Sequence, residues 1–157
     1  MSSIDHDTIE YIKTTIIKVL EAAGFRARVE YEHSLNKGLV FNLHVDSPKM
    51  LIGKQGSTLQ AFEHLIFAIV NKHLRDLPEA TRFTIDIDEY RANREYQLKQ
   101  QVKDAVSQLK YSDKPIALPP MSRYERRFVH TYIQEQFPHL TTESIGEEPN
   151  RKIVMKI

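Results

Sequence analysis

Apolar residues recur at helical spacing from Ile9 through Ile12, Ile16, Leu20 and Ala23, and the pattern stops at Gly24, a residue suited to ending a helix. Asp7-Thr8-Ile9-Glu10 has the spacing of a capping box with Asp7 as the cap. The period then changes to two. Ala27, Val29 and Tyr31 alternate over 26–33, and Leu39, Phe41, Leu43 and Val45 alternate with Val40, Asn42 and His44. This predicts an antiparallel pair of strands with one face on a core, joined by a turn at Asn36-Lys37-Gly38. Ser47-Pro48 predicts the cap and first turn of a short helix over 49–52. Leu59, Phe62, Leu65, Ile66, Ile69 and Val70 then form the apolar face of a helix over 57–74, with Ser57-Thr58-Leu59-Gln60 spaced as a second capping box. Pro78 closes the connection to a third strand, in which Phe83, Ile85 and Ile87 alternate with Thr84, Asp86 and Asp88.

Beyond it, a helix is predicted over 90–110, with Leu98, Val102, Ala105, Val106 and Leu109 along one stripe. Pro115, Pro119 and Pro120 break the chain, which places a domain junction within 111–120. Helical spacing returns over 121–137, where Tyr124, Phe128, Ile133 and Phe137 are the apolar positions. Strands are predicted over 140–145 and 151–157, joined by Glu147-Glu148-Pro149-Asn150. The fold class is α+β: helix-strand-strand-helix-helix-strand, a long helix, then a small helix-plus-β-hairpin unit.

Composition narrows the chemistry by exclusion. With 22 Lys and Arg against 21 Asp and Glu in 157 residues, bulk charge carries no nucleic-acid signal, so any basic face must be local. The absence of cysteine excludes a disulfide framework, thiol catalysis and cysteine-ligated zinc. No apolar run approaches the length of a membrane span and no secretory segment opens the chain, so a cytoplasmic protein without membrane insertion is expected.

Between the short helix and the long one stands Gly53-Lys54-Gln55-Gly56. Two glycines let the backbone turn sharply and approach a ligand, and a helix beginning just beyond presents unpaired N–H groups and the positive end of its dipole. The spacing fits neither a triphosphate loop nor a dinucleotide loop. By itself the tetrapeptide is equally a plain helix-entry turn. In this order of elements, it resembles the type II KH nucleic-acid-binding module, whose Gly-x-x-Gly loop clamps the backbone of about four nucleotides. Further on, Arg126 and His130 stand four apart and project from one face of the second-unit helix. Such a pair alone reads as two solvated residues. The text around it, Leu-Pro-Pro-Met before and Thr-x-Ser-x-Gly-Glu-x-x-x-Arg after, resembles the R-three-H domain associated with single-stranded nucleic acid.

The two motifs in this order, with Leu-Ile-Gly-Lys-Gln-Gly, Tyr-Arg-x-x-Arg and Glu-Arg-Arg-x-x-His, resemble the bacterial Jag family, the SpoIIIJ-associated proteins. The resemblance implies a KH domain over 1–89, a connecting helix over 90–113 that packs with the second domain, and an R-three-H domain over 114–157. It implies binding of single-stranded RNA, a post-transcriptional role linked to cell elongation or division, and in some members a small stand-alone KH protein as partner. Many members carry a further amino-terminal domain, which is not expected here, so partner roles attached to that domain are not carried over.

On this reading Lys49, Lys54 and Gln55 face the RNA backbone with Gly53 and Gly56, while Leu51, Ile52 and Leu59 line a groove for bases; the same three apolar residues also suit a core. Arg126 pairs with a phosphate or stacks on a base, and His130 donates a hydrogen bond or stacks. Arg123, Arg127 and Lys114 add positive charge, opposed by Asp113 and Glu125, and Arg151 matches a family position on the hairpin. Other readings compete. Asp86, Asp88 and Glu89 could hold Mg2+ for a nuclease, although acids alternating along a strand are usually solvated. No His-Glu-x-x-His pair or nucleophile elbow is present, so no enzyme and no cofactor are expected. A KH-like surface could instead serve homodimerisation or protein interaction, and phosphate clamping alone admits single-stranded DNA.

Overall fold

The computed structural model describes residues 4–34, 38–74, 83–112 and 114–157. The expected turn residues Asn36 and Lys37, the break at Pro78, and Asp113 lie outside them. The chain divides into two compact units, Met1–Tyr90 and Arg91–Ile157.

In the first unit, helix α1 (His6–Ala22) is followed by strands β1 (Ala27–Ser34) and β2 (Gly38–Val45), helix α2 (Pro48–Ile52), a 3-10 turn at Lys54–Gly56, helix α3 (Ser57–His73) and strand β3 (Phe83–Ile87). Strand β2 is central, antiparallel to β1 and parallel to β3. The helical period of α1 puts Ile9, Ile12, Ile16 and Leu20 in the core, where they meet Val29, Phe41, Leu43, Ile85 and Ile87 of the sheet and Leu59, Phe62, Ile66 and Val70 of α3. Burying each such side chain is worth about 1.5–3 kcal/mol against leaving it in water. Gly24 takes φ 86, and the Phe25 and Gly24 amides donate back to the Leu20 and Glu21 carbonyls, which satisfies the end of α1.

Both expected capping boxes in this unit are displaced. Asp5, not Asp7, caps α1, its carboxylate accepting the Thr8 amide at 2.7 Å, and this bond holds the Asp5 carboxyl below its ordinary pKa. Ser57 is already helical and Gly56 occupies the cap position of α3. A glycine in left-handed conformation was available one residue earlier, so the serine was not needed to break the chain into the helix. Asp86, expected on a solvated face, is buried, and its carboxylate accepts the Ile87 amide at 2.9 Å. Asp88 and Glu89 lie beyond the strand with φ of 46 and 56. Among the described residues no three acidic or histidine side chains are grouped to hold a metal ion.

In the second unit, helix α4 (Tyr90–Leu109), of which all but Tyr90 belongs to this unit, precedes strand β4 (Ile116–Ala117), helix α5 (Arg123–Gln136), and strands β5 (Thr141–Ile145) and β6 (Lys152–Lys156). The division at residue 90 falls ahead of the proline-rich stretch where the sequence placed a junction. The reason is packing: Leu98, Val102, Ala105, Val106 and Leu109 of α4 share one core with Leu118, Met121, Val129, Ile133, Ile153 and Met155. The expected hairpin is a three-stranded sheet, β4-β6-β5, because Ile116 and Ala117 pair antiparallel with Met155 and Val154. A strand of two residues is too short to show a period. Among the described residues no helix is long and apolar enough to cross a membrane.

Candidate nucleic-acid interface

In the first unit the backbone from Gly53 to Gly56 is shaped by conformations few residues accept. Gly53 has φ 72, and a Cβ there would lie 2.1 Å from the Thr58 hydroxyl oxygen, so no other residue fits without moving the start of α3. Gly56 has φ 76, and a Cβ there would meet the Tyr90 ring at 3.0 Å. Gln55 between them has φ 54, left-handed without being glycine. The loop thus brings its backbone close to whatever approaches, and no side chain caps the first turn of α3. Lys54 and Lys49 are exposed, while Gln55 is half-buried.

The apolar groove expected beside the loop is corrected. Leu51 and Leu59 are core, at 4% and 2% exposure, and Ile52 packs half-buried against that core. Met50 is the apolar side chain left in water, at 71% exposure. Sequence reading passed over it because α2 has only five residues, too short for a period to separate its inner and outer sides.

In the second unit α5 begins at a capping box that the sequence contained and the expectation omitted: the Ser122 hydroxyl accepts the Glu125 amide and the Glu125 carboxylate accepts the Ser122 amide. Glu125 is 3% exposed, and its carboxylate also receives Arg94 Nε of α4 at 2.6 Å. A residue expected to oppose the basic face is instead a buried joint between two helices.

Arg126 was expected on an exposed ridge. It is 8% exposed and already paired: Nη1 donates to the Met121 carbonyl at 2.8 Å and Nη2 to Glu148 Oε1 at 2.5 Å. Position four before His130 gave its direction along the helix but not its depth, which depends on the turn folding back from β5. His130 is half-buried and its Nδ1 hydrogen-bonds the Thr142 hydroxyl. The two nevertheless open onto one cleft of about 670 Å³. Arg123 and Arg127 of α5 border it, both exposed. Thr142 and Ser144 of β5 and Ile153 of β6 also line it. Arg151, one residue ahead of β6, reaches it with Nε donating to Ser144 Oγ at 2.9 Å. Four arginines therefore face one carboxylate, Glu148, and the hydrogen bond from Arg126 holds that carboxyl below its usual range, with the Arg151 charge adding to the effect. Lys114, exposed after α4, is not among the lining residues. The arrangement offers a concentrated positive field with hydroxyl donors between, suited to phosphate oxygens.

Residues 96–156 match the R-three-H domain family. The whole chain is similar to proteins described as RNA-binding protein KhpB. One from Clostridium symbiosum is 33% identical over 99% of this chain and 67% of its own length. One from Bacillus subtilis is 29% identical over 95% and 70%. One from Lactiplantibacillus plantarum is 27% identical over 90% of the chain but 42% of its own length.

Proposed function

The chain belongs to the Jag family, whose relatives carry the name RNA-binding protein KhpB, and on that premise we propose that it binds single-stranded RNA without catalysis, through one surface on each unit. The observation that carries the proposal is the convergence of Arg123, Arg126, Arg127 and Arg151 on one cleft in a chain whose net charge is only +1. Basic residues gathered in one place against a neutral background are the electrostatic footprint of a polyanion ligand.

The first surface is the Gly53–Gly56 loop. The order helix-strand-strand-helix-helix-strand, with this loop between α2 and α3, supports a type II KH reading of residues 1–89. Lys54 takes phosphates, Lys49 adds charge, Gln55 contributes its side-chain amide, and Ile52 with Met50 borders the bases; the Gly53, Gly56 and Ser57 amides already donate to the Lys49, Gly53 and Lys54 carbonyls. The second surface is the cleft over 114–157, entered from Arg127, Arg123 and Arg151, with His130 and Arg126 at its back. Phosphate contacts position the strand, while base contacts beside the loop supply whatever sequence preference exists. A post-transcriptional role linked to cell elongation or division, a cytoplasmic location, and pairing with a small stand-alone KH protein or a second copy are proposed on the family relationship alone.

Filter binding of single-stranded RNA tests the proposal. With about four phosphate contacts, affinity is expected to fall about 50-fold between roughly 50 and 200 mM salt. Retention of single-stranded DNA to the same extent would leave the 2′-hydroxyl unread. No retention at low salt together with a stable dimer on size exclusion would overturn RNA binding in favour of protein interaction.

A further inference from the structure

The cleft of the second unit carries its own anion. Arg126 is the fixed member of its ion pair: its side chain is 9% exposed against 56% for Glu148. The Nη1 arm is anchored on the Met121 carbonyl, ahead of α5, independently of Glu148. The Nη2 arm meets Glu148 in the cleft. Carboxylate and phosphate oxygens present the same anionic acceptor to a guanidinium arm, so the position a ligand phosphate needs is filled. Glu148 lies between β5 and β6 and is the partner with access to water. If one of the two withdraws, it is the carboxylate, because the guanidinium would be left buried and unmoved.

We propose that Glu148 is a resident competitor that sets the affinity of this cleft: RNA binds by exchanging one of its phosphates for the Glu148 carboxylate on Arg126. The inference deepens the RNA-binding reading of the second unit and rests on it. Exchange of one charged hydrogen bond for another gains little, so Arg126 adds less to affinity than its charge suggests. The exposed Arg127, with no carboxylate partner among the described ion pairs, adds more. The opposing view makes Glu148 a positioning residue that keeps Arg126 presented to the ligand.

Two substitutions separate these roles. Glu148→Gln removes the charge but keeps an oxygen that can accept from Nη2, and Glu148→Ala removes both. In the full chain carrying Lys54→Asp and Gln55→Asp, which leaves the second unit as the binding surface, fluorescence anisotropy with a labelled oligouridylate at low salt reads the effect. Both variants are expected to bind about tenfold more tightly than the same background with Glu148 intact, while Glu148→Ala, which alone leaves Arg126 Nη2 without its acceptor, unfolds at lower temperature than Glu148→Gln. Unchanged or weaker binding by Glu148→Gln overturns the proposal, and weaker binding by Glu148→Ala alone assigns Glu148 to positioning. Failure of the underlying reading looks different: Arg127→Ala would then leave the affinity of the background unchanged, which overturns both.

Discussion

Replacing Lys54 and Gln55 together by Asp in the full chain is expected to weaken single-stranded RNA binding about 100-fold, since carboxylates would face phosphate where the loop now offers the Lys54 cation and a neutral amide side chain. The fold should survive. Lys54 is exposed, and Gln55 holds a left-handed conformation that aspartate accepts more readily than most residues. Neither glycine is touched, so the clash that any side chain at Gly53 would make with Thr58 does not arise. The remaining affinity belongs to the second unit and keeps its salt dependence. Anisotropy with a short single-stranded RNA measures the loss, and circular dichroism melting checks the fold. An affinity within threefold of the parent, as an approximate threshold, would remove the loop from the interface.

Arg94→Ala is expected to cost the second unit about 3 kcal/mol, and to lower its melting temperature by on the order of 10 °C or more. Arg94 Nε sits 2.6 Å from Glu125 Oε1, and the Glu125 side chain is 4% exposed against 23% for Arg94. Removing the guanidinium leaves a carboxylate in the interior with only the Ser122 amide and none of the charge that offset its desolvation. The prediction has an internal control. Adding Glu125→Gln to Arg94→Ala neutralises the stranded charge while keeping an acceptor for Ser122, so the double variant should regain part of the loss. A loss below about 1 kcal/mol would mean that water reaches the pair and screens it. Arg94 belongs to the Tyr-Arg-x-x-Arg text that marks the family resemblance, so this arginine is read as a strut between α4 and α5 rather than as an RNA contact.

These two cases show which parts of the molecule were legible beforehand. The period is written in the sequence for Ile9, Ile12, Ile16 and Leu20, for Leu59, Phe62, Ile66 and Val70, and for Leu98 to Leu109, which are core as their spacing requires. It misleads at Leu65 of α3 and Tyr124 of α5, each expected on an apolar face and each 49% exposed, and α5 buries Glu125, Arg126 and Val129 instead. The glycine pair was legible because its conformational demand is local. Depth was not. Glu125 and Arg126 are charged residues in a run of charge, and the sequence offers no sign that α4 covers one and the β5–β6 turn the other. The Ser122–Glu125 capping box was readable and overlooked, whereas Asp7 and Ser57 had the right spacing in the wrong frame. Competition between neighbouring cap residues is settled by small energies, about 1 kcal/mol, that spacing alone does not resolve. The short strand Ile116–Ala117 exists only through its pairing with β6, a contact some 38 residues away in the chain.

The pairing of Arg126 alters how the second surface should be probed. Arg126→Ala removes a buried group with bonds to Met121 and Glu148, so lost RNA binding in that variant would mix lost contact with lost structure. Arg127, exposed on the same cleft, separates the two. Both surfaces would then be read in one preparation.

Amide chemical-shift mapping of the isotope-labelled full chain, titrated with a short single-stranded RNA, reports on both surfaces at once. Perturbations are expected in two clusters, one over Gly53, Lys54, Gln55, Gly56 and Ser57 and the other over Arg123, Arg127, His130, Ser144 and Arg151, both fading as salt is raised. Shifts confined to the charged outer residues of β1 and β2, such as Arg28, Glu30 and His44, or shifts indifferent to salt, would contradict RNA binding at these two surfaces.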